Sequence, residues 1–279
     1  MPAFYTHKRF GEEVIAHLPP SFSENIQKYL EAFVLGTQGP DILFYHHPIR
    51  KNPTRQKGVD AHNTSANGFF IQQAKQLLEG DYVTKQNDVY LPNSPYASYI
   101  AGFLCHFTLD VHLHPFIFEK QETGISHGKI ESELDKYMLR KNEKPIRGYN
   151  TAGMLTEKKG VAEACAKAME VTLDEAKLAI KTMRKINSYF SNKCEIFHGF
   201  AHSVLKIAKM DHKFGDMFLH KKDEPACVEW NEKLYQFYLT ALPKATALLE
   251  EYFSTLPDIA RNGKINEFFH YNYKGEFLS

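Results

Sequence analysis

The chain has 279 residues, of which 43% are hydrophobic and 24% charged, and a formal net charge of +1. That is ample mass for a real core, and a charge balance without the basic field that would hold nucleic acid along a surface, so no stable nucleic-acid partner is expected. No stretch reaches the ~18 apolar residues that a membrane-spanning helix needs. The start, MPAFYTHKRFGEEVIAHLPP, lacks the apolar core of a signal peptide, so a cytoplasmic location is expected. Cys105, Cys165, Cys194 and Cys227 form no CxxC pair and read as reduced thiols. Without a linker-like tract, residues 1–279 read as a single domain.

In chain order, residues 1–20 form a short leader in which His7 stands among Phe4, Tyr5 and Phe10, ended by Pro19-Pro20. Ser21 and Glu24 match a capping box, and Ile26, Tyr29, Leu30, Phe33 and Val34 recur at helical spacing up to Gly36. Gly39-Pro40-Asp41 breaks the chain, and the short buried run Ile42–Tyr45 follows, closed by His46 and His47. Residues 47–58, HPIRKNPTRQKG, read as a solvated basic loop. His62 reads as standing just before a helix capped by Asn63 or Thr64 and stopped at Gly80.

A helix over 94–118 follows, apolar on most faces and therefore built for burial. Into it are set His106, Asp110 and His114, four residues apart, so each falls only ~40° round the helix from the last. Burying a carboxylate alone costs several kcal/mol, so Asp110 calls for a cation or a dense hydrogen-bond network. A helix from about Ser126 to Leu139 carries a second pair, His127 and Glu131, on one face. A polar loop over 140–160, a capping box at Thr172 and Glu175 opening a helix to Phe190, and a helix over 194–210 come next. His198 and His202 in that last helix read as an ordinary helix face. Trp230–Phe253 reads as a long helix interrupted or bent at Pro243, and the aromatic tail beyond Pro257 as packing back onto the body. No sustained alternation and no hairpin dipeptide stands out, so the fold class is all-α.

His7, Asp41, His62, His106, Asp110, His114, His127 and Glu131 together make a mixed imidazole–carboxylate set. Such a set suits zinc better than magnesium, which prefers oxygen shells, or an iron–sulfur cluster, which needs thiolates. These are more side chains than one tetrahedral ion can use, so more than one metal is implied. His46 and His47 compete with His62 for one role, and His112 competes with His114. His112 would point about 160° away from Asp110 on a continuous helix, which favours His114.

The order His7, Asp41, His62, H-F-T-L-D (His106, Asp110), His114 and H-G-K-I-E (His127, Glu131) resembles the ligand order of the zinc-dependent phospholipases C. Fungal single-strand-specific zinc nucleases are their more distant relatives. The resemblance implies an all-α, single-domain multi-helix bundle of that type and three zinc ions. Asp41, His62, His106 and Asp110 would hold the first. Asp110 would bridge to a second, bound also by His7 and a terminal amine, which Pro2 would supply if Met1 is removed. His114, His127 and Glu131 would hold the third.

What this implies is a metal-dependent hydrolase that cleaves a phosphate ester, a phospholipid-like phosphodiester first, with a zinc-activated water. Three divalent ions against three carboxylates leave the pocket positive, and Asp41 is the catalytic candidate, orienting or deprotonating the water. The alternatives are a single-strand nuclease or a phosphomonoesterase and, in a different class, a non-catalytic helical protein that holds metal or binds a partner.

Overall fold

The computed structural model describes residues 3–194 and 215–278, and the described residues surround one helix, Pro95–Gln121 (α6). Its start follows from sequence: the Ser94 hydroxyl accepts from the Ala97 amide at 3.1 Å, and Pro95 occupies the first turn, where its missing N–H costs nothing. Every residue from Tyr96 to Val111 is buried, so the helix is covered on all faces.

The described chain opens with three helices: α1 (Phe4–His17), α2 (Pro20–Lys28) and α3 (Leu30–Gly36). The single helix expected from Ser21 to Gly36 is thus two. Pro19 and Pro20 preset the first turn of α2, so no side chain caps it and the Ser21/Glu24 box does not form. Tyr29 leaves helical geometry at φ −127° and redirects the chain, which lets Ala32 to Gly36 bury against α6. There the two backbones touch: a Cβ on Gly102 would lie 2.1 Å from the Phe33 carbonyl oxygen, and one on Gly36 2.1 Å from that of Tyr99.

A 3₁₀ turn, Gly39–Tyr45, leads to α4 (Pro53–Asn63) and α5 (Asn67–Glu79). The second half of the expected 47–58 loop is therefore helix. Asn52 caps it by accepting from the Arg55 amide at 2.9 Å, and Pro53 takes the first position. As a result His62 sits in the last turn of α4 rather than before α5. The hairpin of β1 (Val83–Gln86) and β2 (Val89–Pro92) was also not expected from the sequence. It closes through Asn87-Asp88, both at positive φ (48° and 64°); its strands are four residues each, β1 mostly exposed and β2 half-buried then buried, so neither alternates.

Beyond α6 come α7 (His127–Lys141), α8 (Lys159–Ala168) and α9 (Leu173–Phe190). The capping box forms as expected: Thr172 accepts from the Glu175 amide, and Glu175 accepts from the Thr172 amide at 2.8 Å. The expected 194–210 helix, with His198 and His202, falls almost wholly outside the described residues. The long helix α10 (Pro225–Ser254) starts five residues earlier than expected and runs through Pro243 without interruption. Then α11 (Leu256–Asn262) ends at Gly263, and the tail folds back, burying Phe269 and Tyr273. Among the described residues the fold is all-α apart from the hairpin. Cys105, Cys165 and Cys227 are buried free thiols, and Cys194 is an exposed one. No helix among the described residues is long and apolar enough to cross a membrane.

Two outcomes follow from this packing. Gly102→Ala forces α3 from α6 where backbone meets backbone, and is expected to cost at least the ~1–3 kcal/mol typical of overpacking, read by denaturant unfolding. Glu175 is held down to about 2 by the Thr54 hydroxyl and the Thr172 amide and hydroxyl, below the ~4.3 of an unfolded chain. Its contribution is therefore present above ~4.3 and lost as pH falls towards 2, so the stability gap between metal-free wild type and Glu175→Gln should close over that interval.

Candidate metal centre

The His106–Asp110–His114 stripe faces the space between α1, the 3₁₀ turn, α4 and α7, and each of these elements delivers a ligand-type side chain to it. Asp110 is 2% exposed and stands at the centre. Its Oδ1 lies 3.2 Å from His7 Nε2 and 3.7 Å from His114 Nε2; its Oδ2 lies 3.1 Å from His106 Nε2 and 4.0 Å from His62 Nε2. Asp41 Oδ1 approaches His62 Nε2 at 3.2 Å. On the far side, Glu131 Oε1 lies 3.4 Å from His127 Nε2 and 3.8 Å from His114 Nε2.

Three groups result, each with its ligand-type atoms within 4.8 Å of one another: His7, His106 and Asp110; Asp41, His62 and His106; His114, His127 and Glu131. All eight residues singled out in the sequence thus meet in one place. His112 does not join them; its Nδ1 bonds the Thr108 carbonyl at 2.7 Å and its ring lies against Phe268. Nor does His46, whose Nδ1 faces Asn52 Oδ1 at 3.0 Å and whose ring meets that of His47. Pro2, the expected source of an amine ligand, lies outside the described residues.

Several positioning groups were not visible in the sequence. Asp135 of α7 anchors the start of α1, accepting from the Tyr5 amide at 3.1 Å, the Thr6 amide at 2.8 Å and the Thr6 hydroxyl at 2.6 Å, and so sets His7 one residue further on. Gly39, at φ +51°, passes where a Cβ would lie 2.1 Å from the His106 ring, so only glycine lets the Asp41 turn approach. The Nδ1 atoms of His62, His106 and His114 meet the carbonyls of Gly58 (2.7 Å), Thr37 (3.1 Å) and Tyr273 (2.5 Å). A carbonyl can only accept, so each Nδ1 carries a proton and each ring turns its Nε2 inward, where it offers a lone pair once deprotonated. The Gly39 break was legible in the sequence; main-chain carbonyls such as those of Thr37 and Tyr273, brought from elsewhere in the fold, leave no such signal.

Inward lone pairs facing carboxylate oxygens repel unless a cation lies between them, either protons or a metal. Protons serve this role unevenly here. His7 and His106 stack with centroids 4.4 Å apart, and burial together with that neighbour holds His7 below its ordinary value. Against the cost of burial, Asp110 and Glu131 push His114 up to about 9. Burial also opposes ionisation of Asp41, yet surrounding positive charges, His62 and His106 among them, keep it below the usual carboxylate range. His106 Nε2 and Asp110 Oδ2 come within 3.1 Å, both buried and without a hydrogen bond. Orphaned donors of this kind, arranged as imidazoles and carboxylates in groups of three, fit zinc with a position to spare.

Asp110 is shared by more of these contacts than any other of the eight. Asp110→Ala is expected to lose bound zinc and to be the most damaging single change, and Asp110→Asn to keep the helical spectrum while losing metal. Elemental analysis with far-UV circular dichroism checks both, and a fully metallated Asp110→Asn protein would remove the bridging role.

Comparison with known proteins agrees with this geometry. Searches of curated proteins and of solved structures return no match. A family model described as zinc dependent phospholipase C matches residues 6–195, which takes in all eight residues of the centre and well over half of the chain. The chain belongs to the zinc-dependent phospholipase C family.

Proposed function

We propose that this chain hydrolyses a phosphate ester, a phospholipid-like phosphodiester before others, at a centre that holds three zinc ions. Family membership and the three imidazole–carboxylate groups support a zinc-dependent hydrolase. The observation that carries the finer reading is Asp110, a buried carboxylate between the Nε2 atoms of four histidines. In this reading Asp41, His62, His106 and Asp110 hold one ion, Asp110 and His7 a second, and His114, His127 and Glu131 a third. Bound there, zinc would polarise the P–O bonds of the ester and lower the pKa of a water from ~15.7 towards ~7.

The side chains do the rest. Asp41 stays ionised, so it accepts a hydrogen bond from the attacking water and orients it; its low proton affinity makes it a better positioner than proton store. The carbonyl bonds of His62, His106 and His114 hold those rings in place. His127, with 27% of its side chain exposed, marks the open edge, and Phe118 stands 5.2 Å from it, 36% exposed. An apolar rim of this kind suits an acyl or other apolar substituent next to the scissile phosphate.

The test is product release from a panel of phospholipids, nucleic acids and small phosphate mono- and diesters, before and after chelation. Phospholipid cleavage that is lost on chelation and restored by zinc is expected. Zinc-restored cleavage of single-stranded nucleic acid alone would replace the lipid reading with the nuclease one, and a fully active chelated protein would end the metal reading.

A further inference from the structure

Residues beyond 195 lie outside the family match, yet one of them reaches the centre. The carbonyl that accepts from His62 Nδ1 belongs to α4 itself, and the one for His106 to the neighbouring end of α3. Of the three rings, His114 takes its partner from beyond the matched span, the Tyr273 carbonyl at 2.5 Å. Tyr273 is 2% exposed, and its ring lies 5.2 Å from His62 and 5.9 Å from His106.

The turn that presents this carbonyl is tightly built. Asn272 Oδ1 accepts from the Lys274 and Glu276 amides, both at 3.0 Å, and its Nδ2 donates to Glu276 at 2.7 Å. Tyr271 pairs with Phe277 to close the turn, and the Tyr271 carbonyl accepts from the Ala66 amide at 3.0 Å. Gly275, at φ +79°, rests on α6 where a Cβ would lie 2.5 Å from Pro115 Cγ and 2.9 Å from the Val111 carbonyl oxygen. Pro115, the residue after His114, has no N–H for that carbonyl, so the helix offers a gap in its ladder where the glycine fits.

We propose that the 271–277 turn is a positioning element for His114: seated on the Val111/Pro115 gap through Gly275, it holds the Tyr273 carbonyl that fixes the ring's tautomer and aim. This rests on the reading of His114, His127 and Glu131 as a zinc group. Partners of this type tune ligand basicity and orientation, and their loss typically costs about 10–100-fold in metal affinity.

The test uses the full chain, with Gly275→Ala to lift the turn and Asn272→Ala to loosen it without adding a clash. Zn²⁺ alone is titrated against a competing chelator, alongside circular dichroism and unfolding of the chelated proteins. Expected is a loss of about tenfold or more at one zinc equivalent, with the other equivalents, the helical spectrum and cooperative unfolding kept. In metal-free wild type the His114 Nδ1 proton should appear as a slowly exchanging imidazole resonance that Asn272→Ala removes, which keeps the test decisive if Gly275→Ala does not fold. Wild-type affinity at every equivalent with the resonance unchanged in Asn272→Ala would overturn the inference, as would loss of all equivalents together with the native spectrum. A wild type that takes up no zinc would instead overturn the metal reading, and this inference with it.

Discussion

A carboxylate at the middle of a helix buried on every side is the constraint to which the rest of the molecule answers. Asp110 is 2% exposed, and a charge so placed is tolerated only with partners on several sides. No single neighbour on α6 could provide that, because side chains at i±4 cover only part of the carboxylate. His106 and His114 meet it from its own helix, His7 from α1, and His62 from α4. Helices that have little else in common are thereby tied to one point, and their order around α6 serves that convergence as much as it serves apolar burial.

The precision this requires comes from backbone. Gly36 and Gly102 bring α3 into main-chain contact with α6, and Gly39 then carries the chain past the His106 ring so that Asp41 comes to face His62. Asp135, capping the first turn of α1 from α7, joins the helix that carries Glu131 to the one that carries His7. Shifts of one ligand are therefore resisted by elements that also hold another. A centre mounted this way has its side chains held by packing between several elements rather than by any one of them.

How much of this was legible in the sequence follows from the range of the signal. His106, Asp110 and His114 could be read because helical spacing alone puts them on one stripe, and an apolar surrounding made the acid conspicuous. His127 and Glu131 obey the same rule. His7, Asp41 and His62 stood out only as ligand types at local breaks and starts, and the family resemblance joined them to the stripe, because their convergence depends on three separate elements. The sequence misplaced His62 relative to its helix because Asn52-Pro53 was read as a loop, although Asn at the cap and Pro at the first position is equally a helix start. The Asn87-Asp88 hairpin escaped because its strands bury no alternating face. The Tyr273 carbonyl had no signal at all: any residue has a carbonyl, and only the folded tail decides which one reaches His114.

Burial is graded across the centre, and the gradient bears on how the proposed chemistry is divided. His106 is 1% exposed and His7 5%, whereas 27% of the His127 side chain is open. Charges fully withdrawn from solvent interact strongly but have no room for a substrate, so the His7–His106–Asp110 end suits holding and polarising. The half-open edge at His127, with Phe118 beside it, is the side on which the centre meets solvent. Asp41 stands between these extremes at 7% exposure, ionised and paired to His62.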